Sequence, residues 1–148
     1  MRKIFGSIVV VAACFTGLVA AMGGGFLLYL NIPSLIIVLV LPLLYQNMLF
    51  GLSGFVAAFS APFREDDSRE DLARALAFFA SLGRSIWLFA IAAALLGLIG
   101  ALANSADSPD LGPYLALSLI SPLYAALLNL MLVHPFTTRI TSRMATGC

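Results

Sequence analysis

Apolar residues occur in runs that are too long for a soluble helix. From position 4 to position 63 no Asp, Glu, Lys or Arg interrupts the chain. A hydrocarbon core about 30 Å thick needs roughly 20 apolar helical residues, so this stretch holds two spans and a turn. The turn is read at Gly23-Gly24-Gly25 through Asn31-Ile32-Pro33-Ser34. Proline fixes φ and disfavours helix in the residue before it, which ends one helix and opens the next. The pattern predicts spans at about 4–22 and 34–54, with Tyr29 of the intervening segment at headgroup level. Two further apolar runs predict spans at about 85–102 and 111–133, separated by a connector dense in turn formers that carries Asp107 and Asp110. The expected fold is all-α and polytopic: four transmembrane helices in two hairpins, within a single membrane domain covering 1–148.

The stretch 61–84 is the one sizeable polar connector. Ser68-Arg69-Glu70-Asp71 has the spacing of a capping box, with aspartate in place of Glu or Gln. Leu72, Leu76, Phe79 and Leu82 then recur at helical spacing, with Arg69 and Arg74 off that stripe. This predicts a short amphipathic cytoplasmic helix on the inner leaflet before the third span; the alternative is that the third span simply extends into the cytoplasm. The acidic cluster Glu65, Asp66, Asp67, Glu70 and Asp71 is read as a solvated loop leading into a helix N-terminus that favours negative charge, rather than as a metal site.

Composition agrees with the pattern. Hydrophobic residues make up 61% of the 148 and charged residues 10%, against roughly 25% charged in soluble domains. Mean hydropathy is +1.04. Such a chain cannot cover a soluble core with polar surface, and it is not disordered. Its net charge of +1 gives no electrostatic case for nucleic acid. The basic residues are Arg2 and Lys3, then Arg64, Arg69, Arg74 and Arg84, then Arg139 and Arg143. All fall on one side of the predicted spans. The positive-inside rule then places both termini and the central connector in the cytoplasm, and Asp107 and Asp110 outside. Val11-Ala12-Ala13-Cys14 has the look of a lipoprotein cleavage site, but the apolar run continues through position 22, so an uncleaved first span is expected. Cys14 and Cys148 are too few for a disulfide framework and lack metal-site spacing. With no nucleophile–base pair, metal-ligand cluster or phosphate-cradling loop, neither enzymatic activity nor a cofactor is expected.

Small residues suggest where helices meet. Ala90 and Ala94 are four apart, Ala93 and Gly97 repeat the interval, and Gly17 and Ala21 offer it in the first span. Such spacing lets membrane helices approach closely. Four helices packing on each other account for part of it, and assembly with other subunits is expected to use the rest. The spans contain no ionisable residue in their interiors, with His134 read as interfacial. They do carry Tyr45, Gln46 and Asn47 in the second span, and Ser118, Ser121, Tyr124 and Asn129 in the fourth. A polar stripe of helical period either lines a wet cavity or hydrogen-bonds a neighbouring helix; the second use is the commoner.

The order of these features resembles the MotA/TolQ/ExbB proton-channel superfamily, its MotA branch above all. The segment 23–39, with Asn31-x-Pro33-Ser34-x-x-Ile37-Val38-Leu39, is similar to the opening of that family's second helix. Gly97-Leu98-Ile99 is similar to part of its third, and Leu111-Gly112-Pro113 with Ala116 to the start of its last. The chain lacks the large cytoplasmic domain of MotA-type subunits. Trp87 and Ala94 stand at the family's proline and threonine in helix three, and Ser121-Pro122 at its threonine pair in helix four, where a local kink is expected. The resemblance implies a bacterial inner-membrane subunit that forms a ring of five around single-span partner helices of the MotB/ExbD/TolR kind. The partner supplies the membrane carboxylate; Ser121, with Ser118 and Ala94, would line the pore. The alternative is a non-conducting scaffold built on the same framework.

Overall fold

The computed structural model describes residues 2–21, 23, 29–64, 68–103 and 112–146. The chain is almost entirely helical, with no strand among the described residues. Its helices are α1 (Arg2–Ala21), α2 (Ile32–Leu35), α3 (Leu41–Ser60), α4 (Arg69–Ala103), α5 (Gly112–Leu128) and α6 (His134–Thr146). A π-turn over Ile36–Val40 joins α2 to α3, and another over Asn129–Val133 joins α5 to α6. Among the described residues three helical stretches, Ile32–Ser60, Arg69–Ala103 and Ser118–Ala145, are long and apolar enough to cross a membrane. Within α1, Ile8–Ala21 is a shorter apolar helix. Asp107, Asp110, Glu65, Asp66, Asp67 and Cys148 lie outside the described residues.

Local chemistry explains the helix starts. Asn31 caps α2 in an extended conformation, its side chain accepting the backbone N–H of Ser34 at 3.0 Å, and Pro33 follows in the first turn. Ser68 caps α4: its hydroxyl oxygen accepts the Asp71 backbone N–H at 3.2 Å while its O–H donates to the Asp71 carboxylate at 2.6 Å. The spacing of the 68–71 box therefore folds as expected. The serine hydroxyl, first among several causes, holds the exposed Asp71 carboxyl below its ordinary value of 3.8.

Both π-turns end immediately before an X-Pro pair, Leu41-Pro42 and His134-Pro135. The backbone N–H of Leu41 donates to Ile36, and that of His134 to Asn129, each five residues back. A proline ring has no N–H for the carbonyl four residues earlier and collides with it in a regular α-helix; widening the preceding turn relieves both problems. Pro122, by contrast, sits inside α5, which continues through it.

The expected separate amphipathic helix is not formed. Helix α4 runs unbroken from Arg69 to Ala103, so the alternative, extension of the third span, is what the chain adopts. Its stripe faces protein rather than the inner leaflet: Leu72, Phe79 and Leu82 are buried, with Leu76 packed against the same core. The partners are aromatic. Phe59 of α3 lies 5.3 Å from Phe79, and Phe136 of α6 lies 5.0 Å from it, between ring centroids. Rings at this separation add about 0.5–1.5 kcal/mol per pair beyond area burial. Phe78, with Phe50 and Phe55 around it at 5.3 and 5.5 Å, extends the cluster.

The second span also differs from its expected end near 54. Gly51 adopts φ 70 and ψ 165, a region that only glycine enters readily, and it breaks the helix before a last segment that runs to Ser60. Beyond it, α6 is strapped to the turn that follows α3. The Arg143 guanidinium donates to the Ala61 carbonyl at 2.5 Å, and Arg139 lies 5.7 Å over the Phe63 ring.

Candidate functional site

The chemistry available in this bundle is that of hydroxyls, amides and close backbones, and it lies where α4 meets its neighbours. Gln46 of α3 is fully buried, and its side-chain amide donates to the hydroxyls of Ser81 and Ser85 on α4, both at 3.0 Å. Ser85 in turn donates to the Ser81 carbonyl at 2.9 Å. The side-chain carbonyl oxygens of Gln46 and Asn47 are buried without a hydrogen-bond partner among the described residues. Tyr45 points outward, 46% exposed, and meets the Phe89 ring edge-on at 6.3 Å.

Of the polar stripe on the last span, Tyr124 bonds a neighbouring segment. Its hydroxyl accepts the Asn31 backbone N–H at 2.8 Å and donates to the Tyr29 carbonyl. One phenol thereby ties the turn entering α2 to the last turns of α5. Asn129 instead donates to Ala125 on its own helix at 2.9 Å. Its carbonyl oxygen lies 2.7 Å from where a Cβ on Gly83 would sit, with a Val133 methyl at 3.1 Å. Gly83 is thus required by close approach inside α4, at a position with no helix break.

The small-residue pairs divide into two sets. Ala90 is fully buried in the core and Ala93 and Gly97 are half-buried. Gly97 lies against Ser118 of α5: a Cβ there would be 2.7 Å from the Ser118 Oγ and 3.4 Å from its Cα. This interval serves packing of α4 inside the chain. Gly17 and Ala21 of α1 are exposed, and among the described residues nothing lies within 4 Å of a Cβ built on Gly17. Their face is open.

Ser118 and Ser121, the expected pore-facing hydroxyls, are 7% and 2% exposed, and Ala94 is half-buried. Periodicity alone marks a stripe without saying which neighbour covers it, and here α4 packs on α5. Sequence reasoning missed Ser81, Ser85 and Gly83. A Ser-x-Gly-x-Ser pattern at the head of the third apolar run is the signal that would have found them.

The segments 35–60, 85–103 and 112–133 carry no Asp, Glu, Lys, Arg or His. The arrangement therefore holds helices together by neutral hydrogen bonds. His134, at the start of α6, is exposed, and its backbone carbonyl accepts the hydroxyls of Thr137 and Thr138 at 2.9 and 2.8 Å. Compared with protein-family models and with curated proteins, the chain matches none.

Proposed function

We propose that this chain is the ring-forming subunit of a stator-like ion-channel complex in a bacterial inner membrane. It crosses four times, and both termini and the connector 61–84 share the cytoplasmic side that carries all the basic residues. Several copies surround single-span partner helices, and the partner brings the ion-binding carboxylate that these spans lack. Ion passage changes the charge on that carboxylate and so biases the partner's position against the ring. The observation that carries assembly is the open face of Gly17 and Ala21 on α1, left over when Ala90, Ala93 and Gly97 are used within the chain. The stator type rests on the sequence resemblance of segments 23–39, 97–99 and 111–116.

A second reading, a non-conducting scaffold, is favoured by the burial of Ser118 and Ser121, since a hydroxyl covered by its own chain does not line a pore. Gentle extraction with the products of neighbouring genes, followed by native mass spectrometry and proton-flux assays in vesicles, separates these readings. An oligomer with a single-span companion that carries flux supports the first. The same oligomer without flux supports the scaffold, and a lone monomer contradicts both.

A further inference from the structure

Helix α3 does not continue in a straight line past Gly51. Phe50, before the break, and Phe55 and Phe59, after it, all pack on Phe78 of α4, with ring centroids 5.3, 5.5 and 5.8 Å away. In a straight helix positions 50 and 59 would stand about 13 Å apart on opposite faces, out of reach of one ring. The positive φ of Gly51 instead turns the chain, and the following segment crosses α4 beside Phe78. Among the described residues nothing lies within 4 Å of a Cβ built on Gly51, so the glycine serves this turn and not a close contact.

Helix α4 fixes the depth of that crossing. Tyr45 and Trp87 are exposed, and so is Arg84. Tyr45 adjoins Gln46, which bonds Ser81 and Ser85, so the two aromatic residues stand at nearly one level. Exposed Tyr and Trp concentrate where hydrocarbon meets headgroups, and an arginine there reaches outward along its stem. Phe78 stands about 9 Å further along the α4 axis than Arg84, at headgroup depth. At this level the segment after Gly51 exposes Leu52 (70%) and Val56 (59%), four apart on one flank, and the Phe63 ring. These side chains continue the exposed apolar surface of Leu44 and Met48, and no charge interrupts the chain before Arg64.

From this geometry we infer that segment 52–63 lies on the lipid surface as an interfacial foot, with Leu52, Val56 and Phe63 among the headgroups and upper acyl chains of the leaflet on the basic side. Lipid is the occupant because this flank is continuous with the apolar surface of the span and lies where apolar side chains of interfacial helices meet acyl chains. Water would leave a contiguous aliphatic and aromatic flank bare. The inference rests on membrane embedding and needs neither a ring nor ion conduction.

The test uses the full chain reconstituted in phosphatidylcholine–phosphatidylglycerol vesicles, in a Trp87→Phe background so that one introduced tryptophan reports alone. Leu52→Trp, Val56→Trp and, as a mid-span reference, Leu95→Trp are each quenched by three agents. These are lipid brominated near the headgroup end of its chains, lipid brominated near the chain terminus, and aqueous iodide. Tryptophan at 52 and at 56 should lose more emission to the shallow bromines than to the deep ones or to iodide, and tryptophan at 95 most to the deep ones. Strong iodide quenching at 56 would show the segment running into water, and resistance to all three agents at 52 and 56 would show protein covering it; either overturns the inference. Bromine quenching at 95 alone overturns it and leaves the membrane reading standing, whereas its absence at all three positions overturns both.

Discussion

Tyr124 and Asn31, 93 positions apart, are joined through a phenol hydroxyl that accepts the asparagine's backbone N–H at 2.8 Å. The same hydroxyl donates to the Tyr29 carbonyl, so two backbone groups of an apolar turn depend on one side chain. Removing that side chain strips both groups of this partner. Tyr124→Phe is expected to destabilise the bundle by about 1–3 kcal/mol. It should also accelerate hydrogen exchange at the Asn31 amide while leaving that of α4 unchanged, as read by exchange mass spectrometry.

The contact of Gly97 with Ser118 makes a different prediction. An alanine at 97 places a methyl 2.7 Å from the serine oxygen. The hydroxyl must leave its place to admit that methyl, while the serine Cα and Cβ at 3.4 Å stay in ordinary contact. Gly97→Ala should therefore cost about 1–3 kcal/mol, as overpacked interfaces do, and Gly97→Leu should prevent folding. Pairing Gly97→Ala with Ser118→Gly should recover most of the loss, which thermal melting of the single and double variants will show. Gly17→Leu, on the open face of α1, should leave the melting temperature of the monomer unchanged and reduce self-association in crosslinking.

Gln46 gives a prediction of opposite sign. Its amide hydrogens are used, but its carbonyl oxygen is buried without a partner among the described residues. Interhelical hydrogen bonds in membranes average only about 0.6 kcal/mol. Gln46→Leu removes the unpartnered carbonyl and keeps the volume, so its melting temperature should stay near or above that of the parent. Gln46→Ala should melt well below it because it opens a cavity in a fully buried position.

Asp71 sets a pH dependence. Its folded carboxyl titrates below the ordinary 3.8, with the Ser68 hydroxyl as the first cause. The stabilisation it provides is complete above the ordinary value and is lost as pH falls below 3.8 through the folded value. Ser68→Ala should move the Asp71 titration back up toward 3.8 and fray the first turn of α4. Carboxyl chemical shifts between pH 2 and 6 will show both effects.

Much of this bundle was legible from the chain alone, and what was not has physical causes. The capping box at Ser68 and the helix start at Asn31-Ile32-Pro33 are local chemistry, fixed within four residues, and both formed as read. The apolar stripe 72–82 was legible as a helix, but the sequence left open whether it stood alone or extended the third span, as it does in α4. A buried helix and a surface helix share one periodicity, and the aromatic rings that cover this stripe come from positions 59 and 136. The break at Gly51 was masked by an unbroken apolar pattern, and the two π-turns by prolines whose spacing carries no hydrophobic signal. The small-residue intervals 90–94, 93–97 and 17–21 look alike in sequence. Only the placement of α5 on α4 separates the interior ones from the open one.

The arrangement of the chain across the bilayer is the claim on which the functional reading depends. Single cysteines introduced at Arg69, Asp107 and Ser142, with Cys14 and Cys148 replaced by serine, can be probed in oriented vesicles with a membrane-impermeant maleimide. The account predicts that positions 69 and 142 label from one face and position 107 from the opposite face. Labelling of 107 and 142 from the same face would contradict it.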